Sequence, residues 1–511
     1  MLFKHNISSL PFKVWLWQER ENKVLFAFTL IVMLLSFAWL KYIYPYPNFI
    51  SPESYNYLES ATNNDLINMW PVGYSKFLRM VSVFTRSHLA LVIFQYILLI
   101  AAVLYFLFTL RYFVSPGKWL FRITLAISVL NPLLPHIANF VSSDALFASL
   151  SMIWFTQLWW ILYQPTKILL LVHAFILLGA FTVRLTAVYY PIISILIIFF
   201  SHMPASKIKV GIAAIVILFL VLIGRTQYEY LIRANIIQYA AFGKWQMATN
   251  AIIGYTYADP IPAKQAPSPF RELHSIVNQY LDSLRHLPKS PSKRPGGNYM
   301  WNLKSPLLQY ANKHKGEKGI SFEQEAKLGV LYANYGKWLI KRQPSAFINH
   351  YVWPNLLKYY SPPATFMGFY NSGKGPTNPV VTTWFNWKNY QLGGGFNNRT
   401  IGIMRILPNL LAIINPSFLI MVLFFISFSG LKQCSRINKK FFGFLLLVWF
   451  ANVVISVLSV PIELRYQVFP TVITVTFCLL LLSWIVQSLQ STQSERQQQT
   501  TALKQSYTIH S

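Results

Sequence analysis

The chain has 511 residues, of which 54% are hydrophobic and only 12% charged, and its mean hydropathy is +0.40. A soluble domain of this size does not carry so large an apolar share, so a water-soluble enzyme is excluded. The net charge of +29 invites a nucleic-acid reading, but most of the excess lies in short loops between apolar stretches, where membrane topology accounts for it, and nucleic-acid binding is rejected.

A helix needs about 20 apolar residues to cross a bilayer core about 30 Å thick. Ten stretches qualify as spans: 24–43, 88–110, 119–135, 144–163, 167–183, 187–202, 208–224, 406–429, 441–460 and 467–488. Backbone polar groups cannot stay unpaired in lipid, so each is expected to be helical. The first is preceded by Lys4, Lys13, Arg20 and Lys23 with no small-residue cleavage site, and reads as a retained signal anchor. With the N-terminus inside, the inner loops collect Arg111, Lys118 and Arg122, then Lys167, then Lys207 and Lys209, then Lys432, Arg436, Lys439 and Lys440. Arg496 and Lys504 follow the last span. The short outer loops 136–143, 184–186 and 461–466 hold only Arg184 and Arg465, and the longer loop 44–87 holds Lys76, Arg79 and Arg86. This bias puts both termini inside. Cys434 and Cys478 fall in an inner loop and in the last span, so neither a disulfide framework nor a thiolate metal site is expected.

The map has four parts. Residues 1–224 hold spans one to seven and the outer loop 44–87. Residues 225–405 form an outer segment, whose stretch 225–400 holds 21 Lys and Arg against 7 Asp and Glu, a net of +14. Such a face suits anionic head groups, lipid-linked phosphates or acidic glycans, or is simply a solvated basic surface. Residues 406–488 hold the last three spans, and the Gln/Ser/Thr-rich tail 489–511 is expected to be disordered. Within the outer segment, 259–297 is rich in Pro, Lys and Ser and reads as irregular chain. A helix is predicted from Ser321, with Leu328, Leu331, Tyr332, Tyr335, Trp338 and Leu339 at helical spacing, ending at Pro344. A second aromatic stretch covers Ala346 to Tyr360. Its Trp and Tyr suggest helices lying on the outer leaflet, with a small cap packed on itself as the alternative.

Charged groups at span ends are costly and often functional. The first outer loop reads Ser51-Pro52-Glu53-Ser54-Tyr55-Asn56-Tyr57-Leu58-Glu59, then Trp70-Pro71-Val72-Gly73-Tyr74. The second place is Asn131-Pro132 through His136 to Ser142-Ser143-Asp144 at the start of span four, where ordinary helix capping by the serines is an alternative. His136 by itself reads as a loop histidine. The third is Arg184, alone between two spans, which implies a fixed anionic partner or an anchor to lipid phosphate. The fourth is Pro461-Ile462-Glu463-Leu464-Arg465-Tyr466-Gln467 between the last two spans.

In order and common side, these four places resemble the GT-C glycosyltransferases, the polytopic enzymes that use polyprenyl-phosphate-linked sugars such as dolichyl-phosphate mannose or aminoarabinose donors. The resemblance runs over most of 24–230 and 406–488. It implies an all-α polytopic bundle of about ten transmembrane helices with a partly helical extracytoplasmic insertion. It also implies transfer of a sugar to a lipid, glycan or protein acceptor at the extracytoplasmic face, and the compact loops with no cleaved targeting signal fit a bacterial inner membrane better than the endoplasmic reticulum. Glu53 would be the catalytic base, where the family more often has Asp, with Glu59 and Asp65 as alternatives. Asp144 matches the second acidic position. Arg465 would hold the leaving phosphate with Arg184, Glu463 would orient Arg465 or pair with Arg184, and Tyr466, Tyr55 and Tyr74 would line the substrate site. A divalent metal shared by Glu53 and Asp144 is compatible with the family, though no ligand spacing demands one. An O-antigen ligase or polysaccharide polymerase, a lipid or polysaccharide transporter, and a non-catalytic assembly factor are the alternative classes. A transporter calls for polar groups at the midplane and broken helices in paired halves. Reporter fusions at residues 300 and 500 are expected to lie on opposite sides of the membrane; the same side for both would overturn the topology and the shared face of the four charged places.

Overall fold

The computed structural model describes residues 10–285, 299–300, 302–316, 320–365, 367, 376–392, 402–428 and 430–509. The protein is an all-α polytopic membrane protein, and no strand occurs among the described residues. Eight helices are long and apolar enough to cross a membrane: Arg20–Ile43, His88–Val114, Lys118–Ala138, Asp144–Tyr163, Ala205–Ala234, Ile406–Ser427, Arg436–Ser459 and Val468–Gln490. Two shorter apolar helices, Lys167–Val183 and Leu185–Phe200, sit between them. Each of the ten corresponds to one expected span. Two fall short of the usual spanning length, so ten stretches of apolar sequence become eight full-length helices and two short ones.

The bundle core is aromatic. Phe106, Trp154, Phe155, Trp159, Phe441 and Phe477 are buried in one cluster, and the Trp154 ring stacks on Tyr190 at 3.8 Å. The outward faces remain apolar and exposed, as at Leu35, Leu220 and Ile413, which suits contact with lipid tails. At one end, Glu21 bonds the Arg111 guanidinium at 2.6 Å and Arg122 at 3.1 Å, and Lys440 donates to the Phe200 carbonyl. These basic groups were all assigned to inner loops, and they gather at a single end. The loops carrying Glu53, Asp144, Arg184 and Arg465 gather at the other, as alternating crossings require.

A second core joins the segment 225–405 to the loop 44–87. Tyr57, Trp70 and Tyr74 share it with Trp245, Ile252, Tyr332 and Tyr335. The helix Phe322–Arg342 starts at Ser321 with a full capping box, closed by Gln324, and packs lengthwise on the helix Phe242–Tyr255. Gly336 allows that approach, since a Cβ there would meet the Ala248 backbone at 3.1 Å. Its aromatic stripe is therefore buried in protein, and the cap alternative describes it better than an interfacial helix: Tyr332 and Tyr335 are fully buried and their hydroxyls bond the Leu307 carbonyl and His274.

Two segments differ from expectation. A helix, Arg271–Arg285, lies within 259–297. Its Leu273, Val277, Leu281 and Leu284 are buried at helical spacing, a pattern that the flanking prolines obscured. The proline-rich stretch 288–295 lies outside the described residues. The last helix runs on from Val468 to Ile509, so the polar tail continues the helix instead of being disordered. Between Gln487 and Ile509 the sequence has neither Pro nor Gly, so nothing local breaks the helix.

One glycine carries a tight junction. Gly73 opens the helix Gly73–Phe84, and a Cβ there would stand 2.5 Å from the Thr182 backbone. Alanine ordinarily favours helices by about 1 kcal/mol over glycine, but backbone cannot swing aside as a side chain can. Gly73→Ala is expected to destabilise the protein by about 1–3 kcal/mol, read as a lower unfolding temperature in detergent, while Gly117→Ala, where a Cβ meets nothing within 4 Å, stays near wild type.

Candidate functional site

The loop 44–87 holds a helix, Glu53–Asn63, ending at Asn64 in the left-handed conformation (φ 56°). Glu53 and Tyr57 are one turn apart and face the same way. The acidic first turn is favoured by the helix dipole. The Asp144 helix starts similarly, but without serine capping. Ser143 makes no cap bond. Its hydroxyl instead accepts from Arg184 Nε at 2.9 Å and from the Tyr57 hydroxyl at 3.3 Å, while Ser142 donates to Asp144 Oδ2 at 2.8 Å. Arg184 occupies an extended break (φ −148°, ψ 133°) between two helices. Arg465 sits in a single turn of 3-10 helix, Leu464–Tyr466, whose Leu464 N–H is bonded to the Pro363 carbonyl.

These elements assemble one ion cluster. Arg465 Nη1 reaches Asp144 Oδ2 at 2.9 Å and its Nη2 reaches Glu53 Oε2 at 2.9 Å. Arg184 Nη2 bonds Asp144 Oδ1 and lies 3.9 Å from Glu53 Oε1. Asp144 is thus clamped between two guanidiniums, with only 1% of its side chain exposed, while Glu53 keeps 13%. Tyr466 completes the cluster. Its hydroxyl accepts from Arg465 at 2.5 Å, and its ring lies under both guanidiniums at 4.6 and 4.5 Å. Burial disfavours the charge on both arginines, but Asp144 beside them outweighs it and raises their affinity for the proton. Burial also pushes the Tyr466 hydroxyl up to about 12, so it remains protonated.

The cluster forms part of the wall of a cavity of about 580 Å³. Glu53, Tyr57, Arg184, Glu463, Arg465 and Tyr466 line it. Trp70, Phe242, Met247, Met300, Ile340 and Phe347 also line it, so the wall is largely apolar. Gln246, Thr249 and Asn250 add a polar strip from the helix Phe242–Tyr255. Asn250 ties that helix to the bundle by donating to the carbonyls of Leu458 and Ser459 at 3.1 and 3.0 Å. No element was predicted there. Its spacing of Trp245, Ala248, Ala251 and Ile252 was the available signal.

Glu53, Asp144, Arg184, Arg465 and Tyr466 are therefore brought together, although Asp144 stands behind the wall and does not line the cavity. The anionic partner implied by Arg184 is Asp144. Three expectations are corrected. Glu463 bonds neither arginine; its Oε2 accepts from the Thr365 N–H at 3.3 Å. It precedes the 3-10 turn in extended backbone (φ −134°, ψ 149°), so its side chain leaves the chain in another direction from that of Arg465. Tyr55 points away from Glu53 on its helix and lines a separate recess with Glu59, Pro376 and Thr377. Tyr74 is fully buried, donates to Gln95 at 2.9 Å and packs on Tyr57, so it supports the cluster from behind. Of the alternative bases, Glu59 faces that separate recess and Asp65 accepts from Asn68, and neither lines the cavity. Tyr57 was missed, though its position one turn beyond Glu53 was a signal.

A divalent metal between Glu53 and Asp144 does not fit this arrangement. Three of their four carboxylate oxygens lie at hydrogen-bond distance from guanidinium nitrogens, and two fixed positive charges would repel the ion. No group of three or more His, Cys, Asp or Glu suited to a metal occurs among the described residues.

No family model, curated protein or solved structure matches this chain.

Removing one partner of a buried pair costs more than the pair contributes, because the other charge is stranded. Asp144→Ala strands two guanidiniums and is expected to destabilise the protein by about 3–5 kcal/mol. Glu53→Ala, at the wall of the cavity, is expected to cost clearly less. Chemical unfolding of purified protein measures both, and equal small losses would overturn the central place given to Asp144.

Proposed function

We propose that this protein is an integral-membrane glycosyltransferase that moves a sugar from a polyprenyl-phosphate donor to a lipid, glycan or protein acceptor on the outer side of a cell membrane. The observation that carries the reading is the pairing of two guanidiniums with a largely apolar cavity at the end of the bundle that the charge bias assigns to the outside. A polyprenyl-phosphate sugar has an anionic junction between a hydrocarbon tail and a polar sugar, and such a cavity matches all three parts. Arginine suits the phosphate because its planar fork offers two parallel donors.

In this reading the acceptor attacks the anomeric carbon directly and the phosphate leaves from the opposite face, so the configuration inverts. A cavity carboxylate takes the acceptor's proton, a role worth typically about 10²–10⁴-fold. The resemblance assigns this role to Glu53. Negative charge grows on the departing phosphate beside Arg465 and Arg184, where the dry surroundings strengthen the attraction. The charged cluster lies at one end of the bundle, which favours this reading over a transporter with its sites at the midplane.

The test is binding and transfer with a panel of synthetic polyprenyl-phosphate hexoses and pentoses. Arg465→Ala is expected to weaken donor binding and to lower the rate further, since the leaving group charges as the bond breaks. Arg465→Lys is expected to recover little, because an ammonium cannot reproduce the bidentate contact. Unchanged donor binding and turnover in Arg465→Ala would remove the phosphate role and turn attention to the transporter or assembly-factor classes.

A further inference from the structure

The carboxylate that the resemblance assigns to proton transfer is occupied. Glu53 Oε2 is held by Arg465 at 2.9 Å, and Oε1 lies 3.9 Å from Arg184. Its oxygens are thus turned to the same guanidiniums that the donor phosphate would meet. Asp144 is bound more tightly still and does not reach the cavity. A third carboxylate does line the cavity, that of Glu463. It is half-buried, and no ion pair holds it among the described residues. Its backbone is anchored by the adjoining Leu464–Pro363 bond, and the Thr365 N–H fixes one oxygen.

Resting on the glycosyltransferase reading, we propose that Glu463 is the group that accepts the acceptor's proton, and that Glu53 is a positioning residue which holds Arg465 and Arg184 for the donor phosphate. The acceptor oxygen forms its bond to the anomeric carbon. The bond from that carbon to the phosphate oxygen breaks, and its electron pair leaves with the polyprenyl phosphate. The acceptor's proton passes to the Glu463 carboxylate. The balance needs only donor and acceptor.

The surroundings of Glu463 agree with this assignment. Burial raises its carboxyl to about 7, against the pull of Arg465, Thr365 and Lys358. Arg465 belongs to its own turn, Lys358 to the helix Trp353–Tyr360 packed against the span Arg436–Ser459, and Thr365 to the strap that crosses over it. Glu53, Tyr57, Arg184 and Tyr466 are the other titratable groups that line the cavity. A base with an affinity near neutrality suits proton transfer near pH 7, and it is deprotonated on the alkaline side.

The pH dependence of kcat/KM reports the ionisation of the free enzyme. It is measured for wild type, Glu463→Gln, Glu463→Asp and Glu53→Gln, using the same synthetic donors with extracted envelope lipids as acceptor. Wild-type activity is expected to rise with pH through about 7. Glu463→Gln is expected to lose about 10²–10⁴-fold and to lose that acidic limb. Glu463→Asp keeps a limb at a reduced rate, and it carries the test if the glutamine variant does not fold. Glu53→Gln weakens donor binding but retains the limb. A limb that persists in Glu463→Gln, or one that disappears in Glu53→Gln, overturns the role of Glu463 and leaves the glycosyltransferase reading standing. Absence of transfer by the wild type from every donor overturns both.

Discussion

The site depends on one buried carboxylate. Asp144 receives a guanidinium on each oxygen, from Arg184 on one side and Arg465 on the other. Two arginines brought this close would repel each other, and burial adds a desolvation cost to each. The fixed negative charge between them removes both obstacles, and Ser142 donates a further hydrogen bond to it. Three separate membrane crossings thereby share one charge centre: the start of the Asp144 helix, the break after Val183 and the turn before Val468.

Around that centre the groups divide into those facing the cavity and those supporting it. Glu53 takes the remaining reach of both arginines, and Tyr466 lies under them with its ring. Tyr57 lines the cavity and, through Ser143, links the Glu53 helix to Arg184, while Tyr74 packs against Tyr57 from behind. The close approach at Gly73 brings this layer against the end of the Lys167–Val183 helix. A cluster so fully cross-linked is stiff, and stiffness is what a site needs if it is to meet developing charge without reorganising. Two positive and two negative side chains leave the cluster itself without net charge, so an arriving anion competes with Glu53 for the arginines.

The cap gives the cavity its apolar side. Without the helices Phe242–Tyr255 and Phe322–Arg342, the arginines would face open water, where ion pairing is weak. With them, aromatic and aliphatic groups cover the charges, and Asn250 joins cap to bundle through two carbonyls at the end of the Arg436–Ser459 helix. The cap and the helical bundle are thus one structure at this point.

The sequence alone determined the class of fold and where along the chain charge collects. Apolar length is a local property, so the eight helices of spanning length and the two shorter apolar ones could be read from it, and positive residues in alternate loops gave the expected alternation. The isolated arginine at 184 likewise signalled an anionic partner before that partner was known. Tertiary structure decided the rest. Arg465 pairs with residues 321 and 412 positions away, and no local pattern reports a distance of that kind. The same limit explains why Glu463 was expected to hold an arginine and stands apart, why Tyr74 was expected at the site and lies buried, and why Tyr57 was overlooked. It also explains the tail and the helix Arg271–Arg285, where composition suggested irregular chain although short-range helical pattern or the absence of breakers allowed a helix. Composition and hydropathy reported the membrane; only the packing of distant segments determined which charges neutralise one another and which carboxylate at the cavity has no ion pair among the described residues.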